Sequence, residues 1–406
     1  MQMKKISTIF LKELKDTLRD RRTLMFMLVV PIVAMPLLMT VSMKLMVGQA
    51  RKIEAEKATV AVQRLDQLPQ VLQDSLKASA VLDLKTEADF AGKDLISELK
   101  QGTLRAVLIV PENFSKAIEL ESPTDLELYV DNGEERSTSA ADKVKDILST
   151  YKDHVVEARL VKRSISTELI KPFETIRNNV ATAQKQAGRV IGGIIPYIII
   201  LMSFLGAMYP ASDLAAGEKE RGTMETLLVA PATRGEFVMG KYLVILLTAM
   251  VTGLLAMVSM TYSINKMMGD MSKEAGMTST LAIQFDVQTI ILILMIVIPL
   301  AGIFAAVLLS VSVFAKSSKE AQTYMGALNM VLVFPAFAAL IPGVQLSYTM
   351  ALIPIANIAL IIKYAISGTI EWKYVITAFV SLFALAAVAL YFTKRWFERE
   401  EVLFRM

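Results

Sequence analysis

Residues 213–236 read Asp213-Leu-Ala-Ala-Gly-Glu-Lys-Glu-Arg-Gly-Thr-Met-Glu-Thr-Leu-Leu-Val-Ala-Pro-Ala-Thr-Arg-Gly-Glu236, and Gly240-Lys241 follows shortly after. This polar island stands between two runs apolar enough to cross a bilayer, and it is longer than a simple reversal of the chain requires. Gly222 breaks the charged run. Thr223 is placed to N-cap a short helix reaching Val229, with Glu225 in its first turn where the helix dipole favours an anion. Pro231 disfavours helix at the residue before it. Thr233 and Glu236 then have the T-x-x-E spacing of a capping box, which sets the entry angle of the next helix. A short capped helix between two spans is built to present itself to a partner.

Outward from this island the chain alternates between two materials. Residues 1–22 predict an amphipathic helix, with Ile6, Phe10, Leu11, Leu14 and Leu18 on one face and seven Lys or Arg around it, the pattern of a helix lying in a membrane interface. Residues 23–47 predict a first span, kinked by Pro31 and Pro36 and long enough for a bilayer about 30 Å thick. Too long for a signal peptide and without a cleavage site, it is expected to remain as an anchor. Residues 48–188 alternate strand-like patches (58–63, 81–84, 106–110, 126–130) with helical ones, predicting an α/β domain that ends in a long helix from Glu134. Within residues 189–393 further spans are expected at 190–210, 241–262, 287–314, 321–341 and 374–392. Between the last two, Pro342-Gly343 and Pro354-Ile-Ala-Asn357 interrupt an apolar stretch. Segment 343–370 therefore predicts a re-entrant or interfacial helical hairpin on the outer side, because irregular backbone at membrane depth persists only where protein or water covers it.

Six spans put both termini on one side. The basic residues of 1–22, of the 211–240 loop, of Lys316 and Lys319, and of the 394–406 tail fall together, so the positive-inside rule makes that side cytoplasmic and the 48–188 domain extracytoplasmic. The expected architecture is a polytopic α-helical membrane protein with six transmembrane helices, multi-pass in the inner membrane of a bacterial cell.

Composition excludes several chemistries. The chain is 54% hydrophobic and 20% charged, a combination that needs the two segregated, as they are. The absence of cysteine excludes disulfides and thiolate catalysis. A single histidine, His154, has no candidate co-ligands, so no metal site is expected. Gly235-Glu-Phe-Val-Met-Gly240-Lys241 imitates a phosphate loop, but Tyr242 stands where Ser or Thr would hold magnesium, and no strand precedes it. No nucleotide site and no enzyme activity are expected in this chain. Gly188 and Gly192 form a G-x-x-x-G, which permits close helix approach either within the chain or to another copy. Ser203, Asn329 and Asn357 are the candidate lining of a translocation path, each also readable as a helix–helix hydrogen bond. No Asp or Glu lies within a predicted span, which counts against an ion-driven secondary transporter.

The segment Ala-Gly-Glu-Lys-Glu-Arg-Gly-Thr-Met-Glu-Thr-Leu-Leu-Val-Ala-Pro at 216–231, with Arg234, Glu236 and Gly240-Lys241 following, resembles the loop of type-2 ABC exporter permeases, in particular the NatB-type sodium-efflux branch. Lys12-Glu-Leu-Lys-Asp-Thr-Leu-Arg-Asp-Arg-Arg-Thr23, the outer domain, the Pro354-x-x-Asn357 hairpin and Arg399-Glu-Glu-Val-Leu-Phe-Arg405 share the resemblance. It implies that the loop is a coupling helix docking on a separate ABC ATPase subunit, with Glu218, Glu220, Arg221, Gly222, Thr223, Glu225, Arg234 and Glu236 as ATPase-coupling residues. It also implies a second permease copy or a related permease, no cofactor in this chain, and ATP with Mg bound by the ATPase. No nucleic-acid partner is expected. Sodium is the substrate the resemblance implies; a peptide, drug or lipid stays open. So do two other readings, a machine that transmits ATP-driven motion across the membrane and a membrane-anchored sensor acting through the outer domain.

Overall fold

The computed structural model describes residues 2–90, 92–169, 191–223, 230–274 and 287–397, together with residues 173, 176, 180–182, 184, 185 and 188. It divides into two compact units, one of residues 1–41 with 179–406 and one of residues 42–178.

In the first unit, helix α1 (Met3–Thr17) is amphipathic as expected but stops short of residue 22. Asp20 is the reason. Its carboxylate accepts from the Arg22 and Thr23 amides at 3.1 and 3.0 Å and from the Thr23 hydroxyl at 2.6 Å, so it N-caps a new helix, α2 (Arg21–Ala55). Around Pro31, residues Met25–Ala34 of α2 are π-helical, which accommodates the missing amide of the proline. The Pro31 carbonyl accepts from the Ser259 hydroxyl at 2.5 Å.

The second unit holds a four-stranded sheet, built from β1 (Ala58–Gln63), α3 (Gln70–Ala78), β2 (Leu82–Thr86), α4 (Leu95–Lys100), β3 (Ala106–Ile109), α5 (Phe114–Glu119), β4 (Glu127–Val130) and α6 (Glu135–Lys162). Strand order is β2-β1-β3-β4, with β1 parallel to both neighbours (Val60 opposite Leu84 and Ala106) and β4 antiparallel at the edge (Val130 opposite Ala106). Because side chains alternate across a strand, β1 feeds two cores. Val60 and Val62 join Leu72 and Leu76 of α3 and Ala140 and Val144 of α6, while Ala61 joins Leu95 and Leu99 of α4 on the other face. Ser137 fastens the start of α6 to the sheet, its hydroxyl donating to the Arg105 carbonyl at 2.6 Å and accepting from the Asp131 amide at 2.8 Å.

The remaining helices belong to the first unit: α7 (Ile194–Glu220), α8 (Arg234–Glu274), α9 (Val287–Phe314), α10 (Ser318–Val333), α11 (Tyr348–Leu352), α12 (Ala356–Ile366) and α13 (Trp372–Phe397). With α2, six of the helices among the described residues are long and apolar enough to cross a membrane. α9 is apolar on all sides and buried along most of its length, the signature of a central helix. α2, α10 and α13 expose rows of large apolar side chains, among them Ile32, Leu38, Val331 and Phe383, which suit acyl chains better than water. α7 and α8 approach closely because Gly206 lies against Thr252 and Gly253 against Ser203, small residues that let the backbones meet. Gly188 and Gly193 likewise pack within the chain, against Ser367 and against Ala339 and Leu340.

Two expectations change. The polar island was expected to leave the helix at residue 211, yet α7 continues through Glu220 by way of a π-helical turn at Ser212–Gly217. Its polar groups find partners that a free loop would not supply. The Ala216 amide donates to Ser312 Oγ at 3.0 Å, Gln322 Nε2 to Ser212 Oγ at 3.2 Å, and the Lys219 ammonium to the Val313 carbonyl. α8 starts at Arg234, where the Thr233–Glu236 capping box predicts, seven residues ahead of the apolar span expected from residue 241. Between α10 and α13 the chain is broken into a 3-10 turn (Phe334–Ala339), α11 and α12. Ile355, at φ 70°, enters α12 through a γ-turn in which the Ala356 amide donates to the Pro354 carbonyl at 2.8 Å. A β-branched residue is strained there and is held only because the surroundings over-determine it.

Candidate functional site

Three helix ends converge where α7 stops and α8 starts, and the third is α1. Lys241, about two turns into α8, is fully buried, and its ammonium lies 2.5 Å from Glu218 Oε2 at the end of α7 and 3.8 Å from Glu13 Oε1 of α1. It also donates to the Leu214 carbonyl at 2.5 Å. Glu13 and Glu218 are themselves buried. A buried ammonium between two buried carboxylates is costly to break, since removing any member leaves uncompensated charge. Lys12 closes the cluster from the surface, 3.1 Å from Glu13 and 3.5 Å from Asp16. Burial alone would lower its ammonium pKa, but Glu13, Glu218 and Asp16 outweigh that and hold it above the ordinary lysine value. The cluster floors a cleft of about 430 Å³ between α1 and the α7 end, edged by Asp16, Thr17, Asp213, Arg221 and Thr223.

The same α1 is fixed a second time. Its N-cap residue Gln2 donates its amide to Glu236 Oε1 at 2.6 Å, while Glu236 Oε2 accepts the Thr233 amide at 2.9 Å and the Glu236 amide reaches Thr233 Oγ1 at 3.4 Å. One glutamate therefore serves both a capping box and the start of another helix. Between these two fastenings Gly240 is buried beneath Ile9, where a Cβ would stand 2.5 Å from Ile9 Cγ2. Only glycine allows α1 to cross α8 this closely.

The predicted coupling residues separate accordingly. Glu218 and Glu236 are turned inward as fasteners, Glu218 buried against Lys241 at 2.5 Å and Glu236 accepting from the Gln2 and Thr233 amides. Glu220 and Arg221 are exposed, Glu220 Oε2 accepting the Ser318 amide at 2.9 Å and Arg221 pairing with Asp213 at 2.8 Å. Gly222 adopts φ 68°, a left-handed conformation suited to glycine. The Thr223 amide and hydroxyl both donate to the Glu218 carbonyl, at 3.0 and 3.2 Å, so Thr223 closes α7. Arg234 opens α8. Glu225 and the rest of the expected short helix at 224–229 lie outside the described residues, as does the tail motif at 399–405.

The path candidates separate too. Ser203 is fully buried in the α7–α8 seam against Gly253. Asn357 is fully buried, donating to the Ala351 carbonyl at 2.9 Å and to Ser381 Oγ at 3.3 Å, so it ties α11, α12 and α13 together. Asn329 is half buried on α10. The phosphate-loop imitation at 235–241 is continuous helix with its lysine ion-paired, a geometry unable to wrap a phosphate. Sequence reasoning missed Glu13 and the inward role of Lys241. The available signal was a lysine placed inside an apolar helix, which demands a counter-charge from elsewhere. Among the described residues, no group of three or more His, Cys, Asp or Glu is arranged to hold a metal ion. The junction ties three helices to one another through buried ion pairs and shared caps.

Residues 21–393 match the family described as ABC-2 family transporter protein. The chain is 26% identical over 399 residues to the ABC transporter permease protein NatB of Bacillus subtilis (strain 168), covering 96% of this chain and 99% of that protein. It is also 26% identical over 253 residues to the probable multidrug ABC transporter permease YbhR of Escherichia coli (strain K12), covering 60% and 61% of the two chains.

Proposed function

This chain belongs to the ABC-2 family of transporter proteins, and from that premise we propose that it is the permease subunit of an ATP-driven exporter, coupled through residues 218–236 to a separate ATPase that binds ATP and Mg. The observation that carries the coupling role is the Lys241–Glu218–Glu13 cluster with the Glu236 cap. A push on the connection between α7 and α8 reaches both helices through their own backbones and α1 through these fasteners, so three elements respond together. Glu220 and Arg221, exposed beside Gly222, are the surface a partner touches, with Glu225 and Arg234 completing it.

The basic flanks of the spans support a cytoplasmic placement of both termini and this junction in a bacterial inner membrane, with the α/β unit outside and segment 343–370 as a re-entrant hairpin. Two permeases pair across a two-fold axis, the commonest oligomer symmetry. Of the path residues, Asn329 is the one whose side chain helix packing leaves for transport. Sodium efflux is the substrate reading that the sequence resemblance supports. The name of the YbhR relative supports a drug-like compound instead.

The test is ATPase activity and flux of the complex reconstituted in vesicles, against sodium and a panel of amphipathic drugs, for the native chain and for Arg221→Glu and Glu225→Lys. We expect both variants to lose stimulation of the ATPase or its co-purification. Native behaviour in both would overturn the coupling assignment.

A further inference from the structure

The α/β unit contains a cleft that its own core does not fill. The first half of α6 is buried against the sheet through Ser137, Ala140, Ala141 and Val144, but beyond Val144 no residue of α6 is fully covered. Between that second half and the segment after α5 lies a cleft of about 530 Å³, within the range of about 300–1,000 Å³ usual for small-molecule sites. Its apolar lining includes Leu72, Phe114, Leu126 and Leu148, continuous with the core of the unit. Its lip is basic. Lys145, Lys152 and Arg159 line it at intervals of seven residues, so they share one face of α6 about 10 Å apart along its axis. Arg159 is held over the cleft by its bond to the Ile118 carbonyl at 2.7 Å. Lys145 and Lys152 are exposed and have no ion-pair partner among the described residues. Among the described residues, Asp125 is the one acidic residue in the lining.

A second cleft, of about 630 Å³, lies on the opposite side of Tyr151 and Val155, lined by residues such as Val71, Ala78, Ile147 and His154 and, among the described residues, by no Lys or Arg. The contrast identifies what the first is shaped for. Apolar walls alone would accept any greasy molecule, while three cations along one lip favour a negative headgroup with its chain in the groove.

We propose that this cleft binds an amphipathic anion, an apolar chain bearing a carboxylate or phosphate headgroup, with the chain against Phe114 and Leu148 and the headgroup on Lys145, Lys152 and Arg159. The site is independent of the coupling role assigned to the α7–α8 junction. It gives the α/β unit a ligand of its own.

The experiment uses the full chain in nanodiscs of zwitterionic lipid and a diazirine-bearing dodecanoate as probe, with cross-linked peptides mapped by mass spectrometry. Labels are expected in residues 114–126 and 145–159, displaced by dodecanoate or dodecyl phosphate about tenfold more effectively than by dodecanol, and not by dodecyltrimethylammonium. The stronger of the two anions identifies the headgroup. Lys145→Glu with Lys152→Glu, both on exposed positions, should weaken labelling about tenfold, and Ser149→Trp should block it by filling the mouth. Labelling confined to the apolar spans, equal displacement by dodecanol, or labelling unchanged in the charge-reversed protein would each overturn the proposal.

Discussion

Replacing Lys241 with methionine keeps the length and apolar stem of the side chain and deletes only its charge. In the native chain the ammonium answers Glu218 at 2.5 Å and Glu13 at 3.8 Å, with all three groups buried. Breaking such a cluster by removing one partner costs about 3–5 kcal/mol, because the remaining carboxylates stay desolvated and face one another. The double replacement Lys241→Met with Glu218→Leu removes both charges, leaves Glu13 to Lys12, and should recover most of that stability. The two variants therefore separate stability from transmission. In detergent, denaturant unfolding followed by tryptophan fluorescence should show a large loss for the single variant and a small one for the double. In reconstituted complexes the double variant should fold, bind the ATPase and still fail to couple hydrolysis to export, since α1 is no longer fastened to α7. A single variant as stable as the native chain would refute the energetic reasoning. A well-folded double variant with native coupling would refute the mechanical one.

Three further outcomes are expected. Gly240→Ala places a Cβ 2.5 Å from Ile9 Cγ2 and should lift α1, seen as faster proteolysis within residues 3–17 while the α/β unit stays protected. At Asp20, burial alone would raise the carboxyl pKa, but hydrogen bonds from Thr23 and the Arg22 amide outweigh it and hold the value below normal. Its contribution is therefore complete above the ordinary carboxylate range and lost as pH falls through the lowered value, and Asp20→Ala should cost about 1 kcal/mol at neutral pH and flatten that acid limb. Glu157→Cys, on an exposed turn of α6, should react with an impermeant maleimide in spheroplasts if the α/β unit is extracytoplasmic; labelling only after lysis would reverse the orientation.

What the sequence disclosed was what local pattern controls. The apolar run Val287–Phe314 was legible at both ends because no charged residue interrupts it and Asp286 and Lys316 bound it, and β1 was legible from Ala58 to Gln63 as a short run rich in Val and Ala. The start of α8 was legible from the local Thr233–Glu236 capping box, but the extension of α7 to Glu220 and the fastening of α1 were not, because the groups involved come from far along the chain: Ser312 for Ala216, Glu13 for Lys241, Gln2 for Glu236. For the same reason Glu218 looked like a surface charge beside Glu220. Two glutamates that are near neighbours in sequence can point in different directions, and only the tertiary partners decide which. Asn357 shows the converse, a polar residue conspicuous in an apolar segment whose hydrogen bonds turn out to be structural.

The π-helical turn at Ser212–Gly217 sets a phase. Each residue of an α-helix advances the side-chain direction by about 100°, and a π-bulge accommodates an extra residue in one turn. The apolar shaft of α7 and its polar tip are thus indexed to each other by that turn, like two cams on one shaft. Deleting one residue from the regular stretch of α7 before that turn, which has no such slack, would swing Glu218 about 100° away from Lys241. The helix would stay continuous, and the junction it serves would come apart.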